Sequence, residues 1–477
     1  SRGRSPVEER YVDVAIIGSG TAGLNAMGQV RRAGKSFVLI NGGEPGTTCA
    51  RVGCMPSKAL IQVADDFHTS GRLPRYGVTG GADLRLDAPE ALEHVRHIRD
   101  TLVDRVLSNS TDGMDAERFI QDYARLLEPT LIAVGDQRIR AGAVVIATGS
   151  RPLVPEAWRA FGDRILTSDE IFELEDLPAA VAVIGLGVIG LELGQSLRRL
   201  GVAVTGFDQL DTIGGISDPE VLAQAREILG KEFPLHLGQP ATLAEAADGR
   251  LRVSAGEVSV EVDKVLCCIG RTPTVAGLGL ECLGLPLDRR GLPPFDNRTM
   301  RVGDLPVYIA GDVDGERPIL HEAGDEGKIA GYNAARLGHT AFRRKTPLAI
   351  IFSDPNTIAV GTRFSELDPA TTVIGQIRMA PVGRALTMGK TQGLLRIYAD
   401  RASGRLLGAE MIGPKGENLA HSICWCIELG LTVGQMLRLP FYHPVMEEAL
   451  QAALYDAYRQ VEAKNPGGLV ELEELTG

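Results

Sequence analysis

Two cysteines separated by four residues, Cys49 and Cys54, are the side chains of this sequence that suggest redox chemistry. In a regular helix, residues five apart differ by about 140° around the axis, so a disulfide between them needs a distorted turn. Gly53 supplies the backbone freedom for that turn. An apolar run typical of a helix follows, and a thiol at a helix N-terminus has a lowered pKa, which favours the thiolate that exchanges disulfides.

Two other interpretations of the pair stay open at this point. Buried cysteines often behave as small apolar residues, and cysteine is also a zinc ligand. A structural zinc site uses four ligands, and no second pair has a ligand-like spacing. Cys267 and Cys268 are adjacent on an apparent strand, and Cys424 and Cys426 point to different sides of a helix. We therefore expect no bound metal.

The composition is that of an ordinary soluble globular protein. The chain has 477 residues, of which 23% are charged and 44% apolar, and this length predicts about three domains. The net charge of -11 argues against non-specific binding to nucleic acid or to an anionic membrane. Seven cysteines at low density fit a reducing cytoplasm. No apolar run is long enough to span a membrane, and the polar start, Ser1–Arg10, lacks a signal-peptide segment. We interpret that start as a frayed tail and expect a cytoplasmic protein.

The first glycine-rich motif predicts a dinucleotide site. A β-branched run leads into Gly18-Ser-Gly20-Thr-Ala-Gly23, which opens a helix. In this context Gly18 makes the tight turn, Gly20 lets the backbone approach a pyrophosphate, and Gly23 lets the helix pack on the strand. The second strand should end in an acid that binds the adenosine ribose. It ends in Asn41, whose amide can also form a hydrogen bond to a hydroxyl.

The same motif occurs a second time, at Gly185, Gly187 and Gly190, again between a strand and a helix. Two such motifs in one chain imply two dinucleotides. The strand that follows ends in Asp208, where a carboxylate would bind a ribose 2′-hydroxyl and repel a 2′-phosphate. Because no Arg or Lys occurs between Asp208 and Arg226, the sequence favours NAD over NADP.

A histidine and a carboxylate near the C-terminus are candidates for acid–base chemistry. His443 lies five residues before Glu448, at the predicted start of a helix. A single histidine next to a proline is usually structural. A His–carboxylate pair, however, is the arrangement that proton transfer needs, because the imidazole exchanges protons near neutral pH and the carboxylate fixes its tautomer.

The order of these parts resembles that of the disulfide oxidoreductase flavoproteins, most closely the dihydrolipoamide dehydrogenase branch of that family. The parts are a dinucleotide motif, the cysteine pair, a second dinucleotide motif, a strand ending in Gly311-Asp312, and the terminal His-x4-Glu. The resemblance spans Val12 to about Lys464. It implies an α/β fold with two Rossmann-like dinucleotide-binding domains and a C-terminal α+β dimerisation domain. The implied divisions are an FAD-binding domain (1–151), an NAD-binding domain (152–275), a central region completing the FAD domain (276–346) and the dimerisation domain (347–477).

The resemblance also implies roles for individual residues. Cys49 would be the exchange thiol, Cys54 the flavin-contacting thiol, and His443 with Glu448 the acid–base dyad. Lys58 would lie beside the flavin N5 and pair with Glu192. The FAD nucleotide would be bound by Gly18, Gly20, Gly23 and Asp312, and NAD by Gly185, Gly187, Gly190 and Asp208. Asn41, Thr148, Gly149, Gly270 and Arg271 complete the predicted cofactor-binding residues.

The reaction that the resemblance implies is oxidation of protein-bound dihydrolipoyl groups with NAD as acceptor. Its partners would be a second copy of the chain, as a homodimer, and a lipoylated carrier protein. Two positions depart from the family pattern: Asn41 replaces the usual acid, and Thr47 stands where relatives usually have glycine. The chain also has no N-terminal lipoyl-type extension.

Other branches and another class of protein remain alternatives. Glutathione reductase should show arginines after the second nucleotide strand, and they are missing. Mercuric reductase and the large thioredoxin reductases need a C-terminal cysteine pair, and Gly467–Gly477 contains none. Soluble transhydrogenase lacks the redox cysteines. A glutathione-reductase-like enzyme with another disulfide substrate, or a flavin-containing non-catalytic subunit of a larger complex, therefore stays as the alternative.

Overall fold

The structure is a computed structural model that describes residues 7–476. Its strands are β1 Glu8–Ile17, β2 Phe37–Asn41, β3 Phe119–Gln121, β4 Ala124–Glu128, β5 Leu131–Val134, β6 Gln137–Ile146, β7 Ser150–Pro152, β8 Ile165–Leu166, β9 Ala180–Ile184, β10 Ala203–Asp208, β11 Leu235–Leu237, β12 Thr242–Glu245, β13 Leu251–Ala255, β14 Val258–Val262, β15 Lys264–Cys267, β16 Arg271–Pro273, β17 Val307–Ile309, β18 Leu348–Ile351, β19 Asn356–Gly361, β20 Thr372–Arg378, β21 Leu394–Asp400 and β22 Leu406–Gly413. Its α-helices are α1 Thr21–Arg32, α2 Thr48–Val52, α3 Cys54–Thr69, α4 Ala88–Ser108, α5 Val188–Arg199, α6 Pro219–Gly230, α7 Leu320–Arg336, α8 Gly383–Met388, α9 Gly416–Glu428, α10 Val433–Leu437 and α11 Glu447–Gln460.

The first sheet has seven strands in the order β3-β2-β1-β6-β5-β4, with β17 added beside β6. The central strands β1, β2 and β6 are parallel to one another. All of β2 and the last four residues of β1 and of β6 are buried, as expected where a sheet is covered on both faces. Helices α1 and α7 pack together, and both contact this sheet. Because β17 comes from the second half of the chain, the sheet is built from two distant segments.

The start of the chain differs from the predicted tail. Residues 1–6 lie outside the described range, but residues 8–10 begin β1 and pair with residues 137–139 of β6. Arg140 also forms an ion pair with Glu9 at 3.6 Å. The prediction of a frayed tail through Arg10 was therefore wrong for this part. The polar side chains gave no sign of a strand, because this pairing satisfies backbone hydrogen-bonding groups without burying side chains.

The second sheet is five-stranded and parallel, in the order β11-β10-β9-β15-β8. A small antiparallel sheet, β12-β13-β14, is attached to it in sequence. The chain enters this unit through β7 and leaves it through β16, and these two strands pair with each other in antiparallel orientation. The two connections between the first and second sheets therefore run side by side.

The third sheet, β18-β19-β22-β21-β20, is antiparallel, with α9 and α11 packed against it. Alternating sheet residues and the inner faces of these helices form a separate apolar core. In the first two sheets, the glycine-rich turns follow β1 and β9, at the carboxyl ends of parallel strands, where open α/β sheets bind ligands. Within residues 7–476, no helix is both long and apolar enough to cross a membrane.

Candidate active site

The two cysteines lie on either side of a helix break. Cys49 is in the short helix α2 and Cys54 begins α3, with Gly53 between them at φ -118° and ψ -123°. A Cβ atom on Gly53 would lie 3.1 Å from the Cys49 Cα, so a larger residue would crowd the turn. Thr47 caps α2, because its Oγ1 accepts a hydrogen bond of 3.1 Å from the Ala50 amide. The break brings the two sulfurs close enough for each thiol to shift the pKa of the other.

The two thiols differ strongly in acidity. The hydrogen bond from Cys49 lowers the pKa of Cys54 from 9.0 to about 7, with a further contribution from the Lys58 cation, although burial opposes both. The same hydrogen bond, together with burial, raises the pKa of Cys49 far above its ordinary value. When the pair is reduced, Cys54 therefore loses its proton at lower pH than Cys49 does. Cys49 needs an external base before it can leave or attack as a thiolate.

Lys58 and Glu192 form an ion pair one turn beyond Cys54. The Lys58 Nζ lies 2.8 and 3.0 Å from the two Glu192 oxygens. Glu192 is only 3% exposed, and burial raises its pKa while the lysine opposes that effect. Phe352 covers the pair: Lys58 Nζ lies 4.6 Å from its ring centroid, and its amide donates to Glu192 at 3.5 Å. Phe352 was not among the predicted site residues, because a single phenylalanine so distant in sequence carries no local signal.

The first glycine turn leaves room where a nucleotide would bind. A Cβ atom on Gly18 would overlap the Ala147 carbonyl, and one on Gly23 would overlap the Gly18 carbonyl, so both positions require glycine. At Gly20, in contrast, a Cβ atom would meet nothing within 4 Å. The Thr148 hydroxyl beside this turn is buried and has no hydrogen-bond partner in the described part of the chain. An open cradle and an unpaired buried hydroxyl fit the predicted FAD nucleotide.

The second turn repeats this arrangement. A Cβ atom on Gly185 would overlap the Cys268 carbonyl, and one on Gly190 would overlap the Gly185 carbonyl, whereas Gly187 faces open space. Gly270 follows the neighbouring strand at φ +124° and also faces open space. The two crevices therefore share one backbone design, which fits a second dinucleotide.

Asn41 and Asp208 occupy equivalent places at the ends of β2 and β10. The Ser19 amide donates to Asn41 Oδ1 at 3.4 Å, and the Leu186 amide donates to Asp208 Oδ2 at 2.8 Å. Asp208 Oδ1 also accepts from the Leu210 amide at 2.9 Å. Each side chain thus points back to its own glycine turn. A neutral amide does this in the first crevice and a carboxylate in the second, so only the second would repel a ribose phosphate.

Asp312 lies at the end of β17, beside the first crevice. Burial raises the pKa of its carboxyl, and the nearby Arg271 guanidinium opposes that effect. Arg271 itself donates to Ser150 Oγ at 2.8 Å and to the Ser150 carbonyl at 2.9 Å. Gly149, just before Ser150, adopts φ +70°. Thr148, Gly149, Arg271 and Asp312 therefore border the place where the first and second units meet.

His443 and Glu448 form a hydrogen-bonded pair at the start of α11. The imidazole Nδ1 lies 2.6 Å from Glu448 Oε1, which leaves Nε2 facing away from the carboxylate. The His443 side chain is 79% exposed. No hydrogen bond or ion pair joins it to either active-site cysteine within residues 7–476. A single copy of the chain therefore forms two separate clusters. One contains the two thiols with Lys58 and Glu192, and the other contains His443 with Glu448.

Comparisons with known proteins agree with this layout. Residues 12–327 match the family described as pyridine nucleotide-disulphide oxidoreductase, and residues 348–454 match its dimerisation domain. The dihydrolipoyl dehydrogenase of Thermus scotoductus is 30% identical, with 94% of this chain and 98% of the relative covered. The dihydrolipoyl dehydrogenase of Haloferax volcanii is 31% identical, with 94% and 96% covered.

Solved structures with a similar fold are more distant in sequence. LpdA from Mycobacterium tuberculosis has a TM-score of 0.81 at 23% identity, covering 93% of this chain and 99% of that one. The HOCl-induced flavoprotein disulfide reductase RclA from Escherichia coli, in its Cu(II) complex, has a TM-score of 0.81 at 21% identity, covering 94% and 99%. At these identities the likeness establishes the fold alone.

Proposed function

The chain belongs to the pyridine nucleotide-disulphide oxidoreductase family, and on that premise we propose that it is a dihydrolipoyl dehydrogenase. It is an oxidoreductase that uses FAD and NAD(H). The observation that carries the proposal is the thiol pair itself: Cys49 and Cys54 flank the helix break at Gly53, one helical turn from the Lys58–Glu192 ion pair. A vicinal dithiol such as dihydrolipoyl suits this pair because it can attack once and then close on itself.

The proposed reaction begins with a Cys49–Cys54 disulfide. His443 removes a proton from one dihydrolipoyl thiol, and the resulting thiolate attacks Cys49 Sγ. The Cys49–Cys54 bond breaks and Cys54 leaves as the thiolate. Its pKa of about 7 and the nearby Lys58 cation favour that departure, because an acidic thiol is the better leaving group.

The second dihydrolipoyl thiol then attacks the lipoyl sulfur of the mixed disulfide. This closes the lipoyl ring and releases Cys49, which takes a proton, so the substrate loses two electrons and the protein pair gains them. The chemistry supplied by bound FAD is two-electron transfer between a thiol pair and a nicotinamide. Lys58 and Glu192 hold a fixed charge pair beside the first turn of α3, and Glu448 stabilises the imidazolium that His443 becomes.

We also propose that the protein acts as a homodimer in which His443 serves the thiols of the second copy. The match of residues 348–454 to a dimerisation domain supports this, as does the 79% exposure of the His443 side chain in a single chain. The dyad and the thiols of one copy have no hydrogen bond between them in the described range. The proposed physiological partner is a lipoylated carrier protein.

The proposal is tested by assaying the purified yellow protein with NAD against free dihydrolipoamide, a protein whose lipoyl group has first been reduced to the dithiol, and reduced glutathione. We expect NADH formation with the first two and none with glutathione. Cys49→Ser should lower dihydrolipoamide oxidation by at least about 1,000-fold, while Cys282→Ser serves as a matched control. NADH-dependent reduction of ferricyanide needs the flavin but no thiol, and it should persist in both variants. Turnover of glutathione alone would favour the alternative of another disulfide reductase.

A further inference from the structure

A second ion pair joins the helices that carry the thiol site and the second nucleotide crevice. The Arg199 guanidinium on α5 lies 2.8 Å from Asp65 Oδ1 on α3, and the Arg199 side chain is only 5% exposed. The first pair, Lys58 with Glu192, links the same two helices at 2.8 Å. Asp65 lies seven residues after Lys58, and Arg199 lies seven residues after Glu192.

Equal spacing on both helices has a geometric consequence. Seven residues make about two helical turns, so the second pair lies on the same face as the first and about 10 Å further along. The helices must therefore run parallel, and their charges are in opposite order: positive then negative on α3, and negative then positive on α5. A slip of seven residues along the partner helix would bring like charges together, and a smaller slip would separate both pairs, so the two pairs favour one register.

Arg199 is anchored independently of Asp65. It also forms ion pairs with Glu232 at 2.7 Å, just after α6 in the second unit, and with Asp354 at 2.8 Å, in the third. Gln195 on the same helix joins Asp354 through two backbone hydrogen bonds, at 2.9 Å to its carbonyl and 2.8 Å from its amide. The guanidinium is therefore a fixed point to which Asp65, and with it α3, is attached.

We infer that Arg199 is a positioning residue for the thiol site, and that it acts through Asp65. Leu60 and Ala64 pack α3 into the apolar core, and the two ion pairs fix its position along α5; without the second pair, α3 can shift slightly about the Lys58–Glu192 contact. Cys54 lies about 6 Å from that contact on one side and Asp65 about 10 Å on the other, so a 1 Å displacement at Asp65 moves Cys54 by about 0.6 Å. Displacements of this order in a reacting group lower rates by up to about 100-fold. This inference rests on the proposed redox role of Cys49 and Cys54.

The test measures how fast NADH reduces the Cys49–Cys54 disulfide in the holoenzyme. NADH and a proton are consumed, NAD is released and two thiols appear, which are trapped with iodoacetamide and counted by mass spectrometry after rapid quenching. The key comparison is Asp65→Asn with Asp66→Asn, because Asp66 is the next residue, is exposed and, among residues 7–476, has a hydrogen bond only with Gln62. Glu232→Gln is a second control that removes a different Arg199 partner without touching α3.

We expect Asp65→Asn to slow the appearance of thiols by about three- to tenfold, with FAD content, thermal midpoint and NADH–ferricyanide turnover unchanged. Asp66→Asn should behave like the wild type, and Glu232→Gln should slow the appearance of thiols less than Asp65→Asn does, because Asp354 still holds Arg199. Arg199→Met should exceed the effect of Asp65→Asn, and Arg199→Lys should recover part of it. If Arg199→Met fails to fold, the two aspartate variants still decide the question.

Equal thiol rates in Asp65→Asn and Asp66→Asn would overturn the inference. The inference would also be overturned if Asp65→Asn lowered FAD content, the rate of thiol appearance and NADH–ferricyanide turnover together, since that pattern indicates only a structural role. If NADH produces no thiols in the wild type, the Cys49–Cys54 pair lacks the proposed redox role and the inference is overturned. In another outcome, the wild type fails to oxidise dihydrolipoamide, but NADH still reduces its disulfide and does so more slowly in Asp65→Asn. This result would refute the proposed substrate and support the positioning role.

Discussion

The Nδ1 atom of His443 lies 2.6 Å from Glu448 Oε1, so the carboxylate holds the imidazole by one nitrogen and leaves the other nitrogen available. The ring is mostly exposed on its own chain, whereas Cys49, the thiol that needs a base, belongs to a separate cluster. This relationship divides the proposed site into a dyad and a thiol pair, and each part can be tested alone.

Replacing Glu448 with Gln should lower kcat for dihydrolipoamide oxidation by about 10- to 100-fold, and His443→Gln should lower it by about 100-fold or more. The reason is that the imidazole loses its orienting anion in the first variant and is absent from the second. Steady-state assays in parallel with NADH–ferricyanide turnover, which should not change, make the measurement. His94→Gln, an exposed histidine on α4, is the control. Undiminished dihydrolipoamide turnover in His443→Gln would refute the acid–base role.

Alkylation of Cys54 in the reduced enzyme should increase with pH, with a midpoint near its pKa of about 7. Below that pH the sulfur carries a proton and reacts slowly, and above it the thiolate reacts. Cys49→Ala should shift the midpoint upward most, because the hydrogen bond from Cys49 is the main cause of the low pKa, and Lys58→Met should shift it upward less. Iodoacetamide labelling followed by peptide mass spectrometry gives the profile. A midpoint that stays near 7 in both variants would contradict this account.

Gly20→Val and Gly187→Val should separate the two crevices. A Cβ atom at either position meets nothing within 4 Å, so the fold should tolerate the side chain while a bound pyrophosphate would not. We expect Gly20→Val to be purified without FAD. Gly187→Val should keep its FAD but show a KM for NAD raised by about tenfold or more. Absorbance spectra and kinetics are the measurements, with Gly28→Val, exposed on α1, as control. Loss of FAD from Gly187→Val instead would reverse the two assignments.

Cofactor preference should depend on Asp208. Its carboxylate accepts hydrogen bonds from the Leu186 and Leu210 amides and stands where a 2′-phosphate would be repelled. Asp208→Ser combined with Gln209→Arg should move the ratio of kcat/KM for NAD and NADP toward NADP by about 10- to 100-fold. Gln209→Arg alone is the control and should change the ratio little. An unchanged ratio in the double variant would show that the carboxylate does not select the cofactor.

The sequence motifs predicted the fold class and the family, and both are confirmed. Glycine turns of this kind are local devices: Gly18 and Gly23 are required by contacts with residues close to them in sequence or in an adjacent strand. The break at Gly53 is local in the same sense, as is the five-residue separation of His443 and Glu448. Short-range backbone geometry can be inferred from residue type and spacing, so such features are visible in a sequence.

Long-range contacts were decided only by the tertiary structure. The strand pairing of residues 8–10 was missed, because a polar strand shows no burial pattern. The position of Phe352 over Lys58 was also not foreseen. Asp65 and Arg199 do carry a signal, since each lies seven residues beyond a member of the predicted Lys58–Glu192 pair. The spacing predicts a second ion pair only if α3 and α5, which are 134 residues apart in sequence, are known to pack in parallel. Charge pairing depends on distance, and the tertiary fold sets the distance between these helices.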